Sequence, residues 1–325
     1  MDIVFLGSGA FGIPSLEALA RSAHRVLHVI SQPDRPAGRG RHEVPTPVAA
    51  WALARQAPLT RTENANGANT LGLLRALQPE CLVVIAFGQK LSNELLAIVP
   101  RGGINLHASL LPKYRGAAPI NWAVINDEPL AGVSVIEVTA VMDGGAILAA
   151  ASTPIGPAET AGELHDRLAQ LGAPLLPEVL DRMAAGGAGG AARVAQDPAR
   201  ATRARKLSRD LAWVDFGQPA ATVSARIRGL SPWPGVQVEL IDAAGKPRTQ
   251  ATILKCQATP TTTAYAPEEC GKVLDDRSIA CGVGSVRILS IQPAGKKAMD
   301  ERAFANGYGL ARGARIRSVV APPER

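Results

Sequence analysis

Through its first 150 residues the chain repeats one alternation, a short and nearly continuous apolar run followed by a helical pattern. The runs are IVFLG, RVLHVIS, CLVVIAFG, GGINLH and GVSVIEV, with helical segments at Ile13 to Ala20, Pro47 to Arg55 and Thr70 to Leu77 between them. A strand that is apolar on both faces must be covered on both faces. The alternation therefore predicts an α/β architecture, a mostly parallel sheet with helices packed against it. A further helix is expected in AGELHDRLAQLGAPLLPEVLDRMAA, where Leu164, Leu168, Leu171 and Leu175 recur at helical spacing, ending at Gly186.

The pattern then changes. GGAGGAARVAQDPARATRARK is rich in Gly, Ala and Arg and has no apolar periodicity, so it reads as a linker. Beyond it come a short helix around Ala220 to Arg228 and period-two alternation in GVQVELI and SVRILSI, the mark of a small β-rich domain. A length of 325 residues suits two domains. The expected boundaries are 1–186, 187–206 for the linker and 207–325.

Several classes drop out. With 46% hydrophobic and 19% charged residues the chain is neither disordered nor fibrous, and with 4% aromatics its core must rest on Val, Leu, Ile and Ala. Cys81, Cys256, Cys270 and Cys281 have neither zinc nor disulfide spacing, so free thiols in a reducing compartment and no metal site are expected. Neither a signal peptide nor an apolar stretch of membrane-spanning length is visible, and the expected location is cytoplasmic.

The net charge of +7 is unevenly placed. Residues 1–192 hold 14 Lys and Arg against 16 Asp and Glu, a net of −2, whereas residues 193–325 hold 21 against 12, a net of +9. A polyanionic partner for the C-terminal part is one reading, and a solvated basic surface is the other. Candidate contacts are Arg35, Arg39 and Arg41 in a Pro/Gly loop, Arg203, Arg205 and Lys206 in the linker, and Lys296 and Lys297 after a turn.

Gly7, Gly9 and Gly12 repeat the G-x-G-x-x-G spacing of a dinucleotide fold. That fold needs an acidic residue at the end of the second strand to hold the ribose. Here the strand runs into Gln32 and Pro33, and Asp34 comes too late. The preferred reading is that the glycines let the first turn pass close to a neighbouring element, with no nicotinamide cofactor.

Asn105 and His107, two apart at the end of a strand, point to one face where a parallel sheet opens its ligand crevice. An amide can donate to a developing oxyanion and a neutral imidazole can take a proton from an amine, the two requirements of acyl transfer to nitrogen. On the residues alone, a hydrogen-bonded structural histidine is the preferred reading. Asp143, in MDGGAIL, reads either as a hairpin turn or as a carboxylate that orients His107.

The stretch LHASLLPKYRGAAPINWAVIN resembles the signature of enzymes that transfer a formyl group from 10-formyltetrahydrofolate to an amine, and MDGGAIL falls where that family places its Asp. FLGSGAFG, SQPDRPAGRGR, AFGQKL, TAGELHDRLAQLGA, SPWPG and IQPAGKKAM find counterparts in order along the whole chain. The resemblance implies an N-terminal doubly wound, mostly parallel sheet of the Rossmann-like formyltransferase fold and a smaller C-terminal β-barrel of OB-fold type. It implies a catalytic set of Asn105, His107 and Asp143. Phe87, Gly88, Ser109, Leu110, Leu111 and Pro112 match the folate-binding positions, and Arg39 the position that meets a tRNA acceptor stem. The implied reaction formylates the α-amine of methionyl initiator tRNA from 10-formyltetrahydrofolate, in a protein expected to be a monomer without a membrane partner. A formyltransferase acting on a small amine such as an amino sugar is the alternative. Gly144 and Ala146 depart from residues common in the family and bear on the geometry of that loop.

Overall fold

In the computed structural model, which describes residues 1–37, 42–186 and 193–321, the N-terminal sheet begins in its own middle. Its seven strands run in the order Ile147–Pro154, Leu130–Glu137, Gly103–His107, Cys81–Ile85, Asp2–Gly7, Arg25–Ser31, Leu59–Arg61. The five strands from Leu59–Arg61 to Gly103–His107 are parallel, and Leu130–Glu137 pairs antiparallel with Gly103–His107. The central runs are apolar because both faces are covered: Ile3 to Leu6 and Cys81, Leu82, Val83 and Ile85 have no exposed surface. From Asp2–Gly7 the chain winds outward in one direction, then returns past its start. This creates a switch point between Asp2–Gly7 and Cys81–Ile85, where doubly wound sheets take ligands.

The opening glycines sit at that point. The Gly9 N–H donates to Ala86 O at 3.3 Å. A Cβ on Gly7 would lie 2.9 Å from Ile85 O, and one on Gly9 3.1 Å from the Ala86 Cβ. Close passage of the first turn across the end of the neighbouring strand explains the spacing, as the preferred reading expects.

Local chemistry sets the helices. Pro47–Ala54 starts because Thr46 Oγ1 accepts from Ala49 N and Pro47 takes the first position, where no N–H is needed. The single helix expected before Gly186 is two, Ala161–Gly172 and Leu175–Ala185. The leucine spacing continues through the break, but Pro174 lacks an N–H and disfavours helical backbone in the residue before it.

The chain forms two compact units, each assembled from separate stretches. The first comprises Met1–Gly116, Gly132–Thr153 and His165–Arg203, and the second Ala117–Ala131, Pro154–Leu164 and Ala204–Arg325. Within the second unit, buried Arg228 donates to Asp127 Oδ1 at 3.2 Å and to Glu159 O at 3.1 Å, so one guanidinium joins all three of its stretches. Trp122 Nε1 likewise donates to Arg205 O at 2.8 Å.

The second unit is built on an antiparallel sheet ordered Ile279–Ala280, Val283–Pro293, Pro247–Ala264, Val236–Ile241, Arg315–Ser318. The segment Gly271 to Val273 joins its two edges into a barrel. Gly271 N donates to Ala280 O and Gly271 O accepts from Ile316 N, both at 2.8 Å. Gly271 has φ +84°, and a Cβ there would lie 2.6 Å from Ile316 O, so the closure needs glycine. Val236, Val238, Leu240, Val286 and Ile288 share one core with Val223 and Ile227 of the helix Ala220–Gly229. This is the barrel expected of the C-terminal part.

Cys81, Cys256 and Cys281 are buried free thiols, pushed up to about 12 by desolvation, so they stay protonated near neutrality. Among the described residues no helix is long and apolar enough to cross a membrane.

Candidate active site

Gly103–His107 carries the centre of the site. It pairs with Cys81–Ile85 through Val84↔Asn105 and with Leu130–Glu137 through Asn105↔Ile136 and His107↔Ser134. The period of two brings Asn105 and His107 to the same face.

The strand ends at His107, and the SLLP turn follows. Ser109 Oγ donates to Lys113 O at 2.7 Å, while Ser134 Oγ donates to Ser109 O at 2.8 Å and accepts from Leu111 N at 3.2 Å. The turn lies directly on Gly132, whose Cβ would stand 2.4 Å from Leu110 Cδ2. Ser134 has no exposed surface and is the internal staple of this turn. It escaped the sequence reading because a serine inside an apolar strand carries no distinguishing pattern.

His107 is buried, and both ring nitrogens have neighbours. Nε2 lies 2.9 Å from Tyr114 O. A carbonyl only accepts, so Nε2 bears the hydrogen and Nδ1 is the open position of the neutral ring. Nδ1 lies 3.6 Å from Asp143 Oδ1, a charge contact longer than a hydrogen bond. The other Asp143 oxygen accepts from Gly116 N at 2.8 Å. Asp143 occupies the connection between Leu130–Glu137 and Ile147–Pro154, and from that turn its carboxylate faces the His107 ring. Asn105 is half-buried, and its amide makes no hydrogen bond among the described residues, leaving its N–H groups free to donate. Two residues around the ring hold left-handed backbone, Tyr114 at φ +62° and Asp143 at φ +52°. Such conformations are costly for residues with a Cβ and tend to cluster at functional sites.

The segment after Cys81–Ile85 is adjacent. The Phe87 ring is buried in a core with Leu91 and Leu95, and its carbonyl accepts from Gln32 Nε2 at 2.8 Å. Gly88 has φ +78°, and a Cβ there would lie 2.6 Å from Gln32 Nε2. The Phe87 ring is thus turned into the core, while Gly88 is exposed. Of the SLLP residues, Ser109 and Leu111 are buried and Leu110 and Pro112 half-buried.

Gln196 was not singled out by sequence reasoning, since it lies in the stretch read as a linker. Its Nε2 donates to Asp143 O at 2.8 Å and to Gly145 O at 2.7 Å, and its Oε1 accepts from Arg115 Nη2 at 2.7 Å.

The basic candidates are distributed over both units. Arg35 is exposed on a short hairpin of Arg35–Ala37 with His42–Val44, and donates to Gln32 Oε1 at 3.1 Å. Arg39 and Arg41 lie outside the described residues. Arg203 is exposed in the first unit, and Arg205, Lys206, Lys296 and Lys297 are exposed in the second. The Arg205 guanidinium lies 5.3 Å from the Trp122 ring centre. Arg226, passed over in the sequence, stacks 3.3 Å from the Trp213 ring centre. Burial, and then the Arg205 charge, bring its pKa down to about 10, so it remains a cation. Among the described residues no three His, Cys, Asp or Glu side chains gather as a metal site would require.

A proton acceptor, an amide donor on the same strand face and a carboxylate beside the ring are the parts needed for acyl transfer to an amine. Comparison with known proteins agrees with that chemistry. Residues 1–180 match the formyl transferase family and residues 206–309 the formyl transferase C-terminal domain. Over 317 residues the chain is 40% identical to the methionyl-tRNA formyltransferase of Moorella thermoacetica, spanning 96% of this chain and 98% of that protein. It is 40% identical over 314 residues to that of Trichlorobacter lovleyi, spanning 96% and 95%. Among solved structures, the sugar 3N-formyl transferase WlaRD, crystallised in the presence of dTDP and 5-N-formyl-THF, superposes with a TM-score of 0.63 at 14% identity, covering 91% of this chain and 99% of that one. That likeness extends to the fold alone.

Proposed function

The chain belongs to the methionyl-tRNA formyltransferase family, and we propose that it transfers the formyl group of 10-formyltetrahydrofolate to the α-amino group of methionyl initiator tRNA, giving N-formylmethionyl-tRNA for translation initiation. The observation that carries this reading is the 40% identity running almost end to end, through both units, with enzymes of that name. Neighbours that act on sugars share only the fold, at 14% and 15% identity. The amino-sugar alternative is accordingly set aside.

Residues 1–186 are assigned to catalysis, residues 207–325 to tRNA binding and the basic residues of the linker 187–206 to the tRNA. The backbone of Phe87 and Gly88 and the turn Ser109 to Pro112 border the crevice and are assigned to the folate. The attacking amine forms a C–N bond to the formyl carbon, and the tetrahedral oxyanion that results receives an N–H from Asn105. His107, its Nε2–H fixed on Tyr114 O, accepts the amine proton at Nδ1, and Asp143 stabilises the imidazolium. Collapse breaks the bond between the formyl carbon and N10, and the proton returns from His107 to the departing tetrahydrofolate nitrogen. The protein is expected to act as a monomer in the cytoplasm.

The test is formyl transfer measured on methionyl initiator tRNA, methionyl elongator tRNA and free methionine in parallel. Rapid formylation of the initiator alone is expected. Transfer to small amines without transfer to either tRNA would overturn the acceptor while keeping the chemistry.

Arg35, Arg39, Arg41, Arg203, Arg205, Lys206, Lys296 and Lys297 are assigned to the tRNA backbone. Neutralising phosphates releases counterions, so the Lys296→Ala/Lys297→Ala double variant should lower the slope of log affinity against log salt by roughly 1 to 2. At saturating tRNA its turnover should equal that of the wild type. An unchanged salt slope would remove both lysines from the contact.

A further inference from the structure

Gln196 spends both of its amide N–H donors on the loop that carries Asp143, and its oxygen on Arg115. A side-chain amide has two N–H donors and one oxygen with two lone pairs. Both donors are used, at 2.8 Å on Asp143 O and 2.7 Å on Gly145 O, and the oxygen accepts from Arg115 Nε at 3.1 Å and Nη2 at 2.7 Å. Asp143 carries the first of the two gripped carbonyls and has left-handed backbone, which a residue with a Cβ holds only where its surroundings impose it.

The stretch around Gln196 is itself pinned to the first unit. Arg193 pairs with Glu137 Oε1 at 2.8 Å, and Val194 exchanges two backbone hydrogen bonds with Ile147 at 2.8 and 3.0 Å. Further on, Thr202 accepts the N–H of Arg115 at its carbonyl, 2.9 Å, and the N–H of Tyr114 at Oγ1, 2.8 Å. Tyr114 provides the carbonyl on His107 Nε2, and Asp143 provides the carboxylate by Nδ1. Residues 193–202 therefore hold the residues on both sides of the imidazole.

We propose that Gln196 is a positioning residue for formyl transfer, setting the Asp143 carboxylate against His107 through its two bonds to the loop backbone. The proposal rests on the assignment of Asp143 to the catalytic set, and the test keeps the two apart. Turnover and both KM values are measured for Gln196→Ala, Gln196→Glu, Asp143→Ala and the Gln196→Ala/Asp143→Ala double variant, with thermal unfolding recorded for each. Misplacing a catalytic group by about 1 Å can cost on the order of 100-fold, so Gln196→Ala should lower kcat by roughly 10- to 100-fold with both KM values nearly unchanged. Its effect should vanish in the Asp143→Ala background, since the residue it acts through is gone. Gln196→Glu keeps an acceptor for Arg115 but loses both donors, so it should be as slow as Gln196→Ala. It also serves as the test should the alanine variant not fold. Wild-type turnover in Gln196→Glu would overturn the proposal, because it would reduce the role to anchoring Arg115. So would a fall in kcat that persists undiminished when Asp143 is absent. Wild-type turnover in Asp143→Ala would instead remove the catalytic assignment on which the proposal stands.

Discussion

Alanine at His107 should lower turnover by roughly 10²- to 10⁴-fold, the range expected when a general base is removed. The imidazole is fixed on two sides, at 2.9 Å from Tyr114 O and 3.6 Å from Asp143 Oδ1, so no small movement lets another described group replace it. The KM values for folate and tRNA should stay within about a factor of two, because a group used only in the transition state contributes to kcat and not to substrate binding. Asn105→Ala gives the companion measurement. Loss of one oxyanion donor costs on the order of 10²- to 10³-fold in turnover, yet leaves the base in place. Near wild-type turnover in both variants would move the chemistry elsewhere in the crevice. A rise in KM with constant kcat would recast the pair as substrate-binding groups.

The parts of this site differ in how far they can be read from the chain. Asn105 and His107 are legible because they lie on one strand, where a spacing of two is a direction in space. Asp143 is not legible in the same way. It reaches His107 only through the return of Leu130–Glu137 beside Gly103–His107, a pairing that no local spacing states. Gln196 is further still from legibility, a polar residue in a stretch without periodicity whose partners lie some 50 to 80 positions away. The same distinction holds for the fold. Buried parallel strands declare themselves by composition, whereas the inclusion of Ala117–Ala131 and Pro154–Leu164 in the second unit depends on long-range bonds such as those of Arg228. Pro174 marks the break between Ala161–Gly172 and Leu175–Ala185 in the sequence itself, but the leucine spacing that runs through it masks the signal.

Gly145→Ala should have the second large effect, and Gly72→Ala provides its control. A methyl group on Gly145 would stand 1.9 Å from Glu137 O, which is backbone within a strand of the sheet and cannot rotate aside. Either that strand or the loop must shift. Forcing a methyl into packed surroundings typically costs about 1 to 3 kcal/mol. Displacement of the loop also breaks the register between Gly145 O, Gln196 and Asp143, so kcat should fall along with stability. Gly72 lies exposed in the helix Ala68–Leu77 with nothing within 4 Å of its would-be Cβ. There the same substitution removes backbone freedom from the unfolded chain and should stabilise by roughly 0.5 to 1 kcal/mol with turnover unchanged. Denaturant midpoints at constant slope, with kcat measured beside them, separate the two positions. If Gly145→Ala keeps both stability and turnover, the strand and loop are not in the contact described, and the grip of Gln196 on this loop loses its geometric basis.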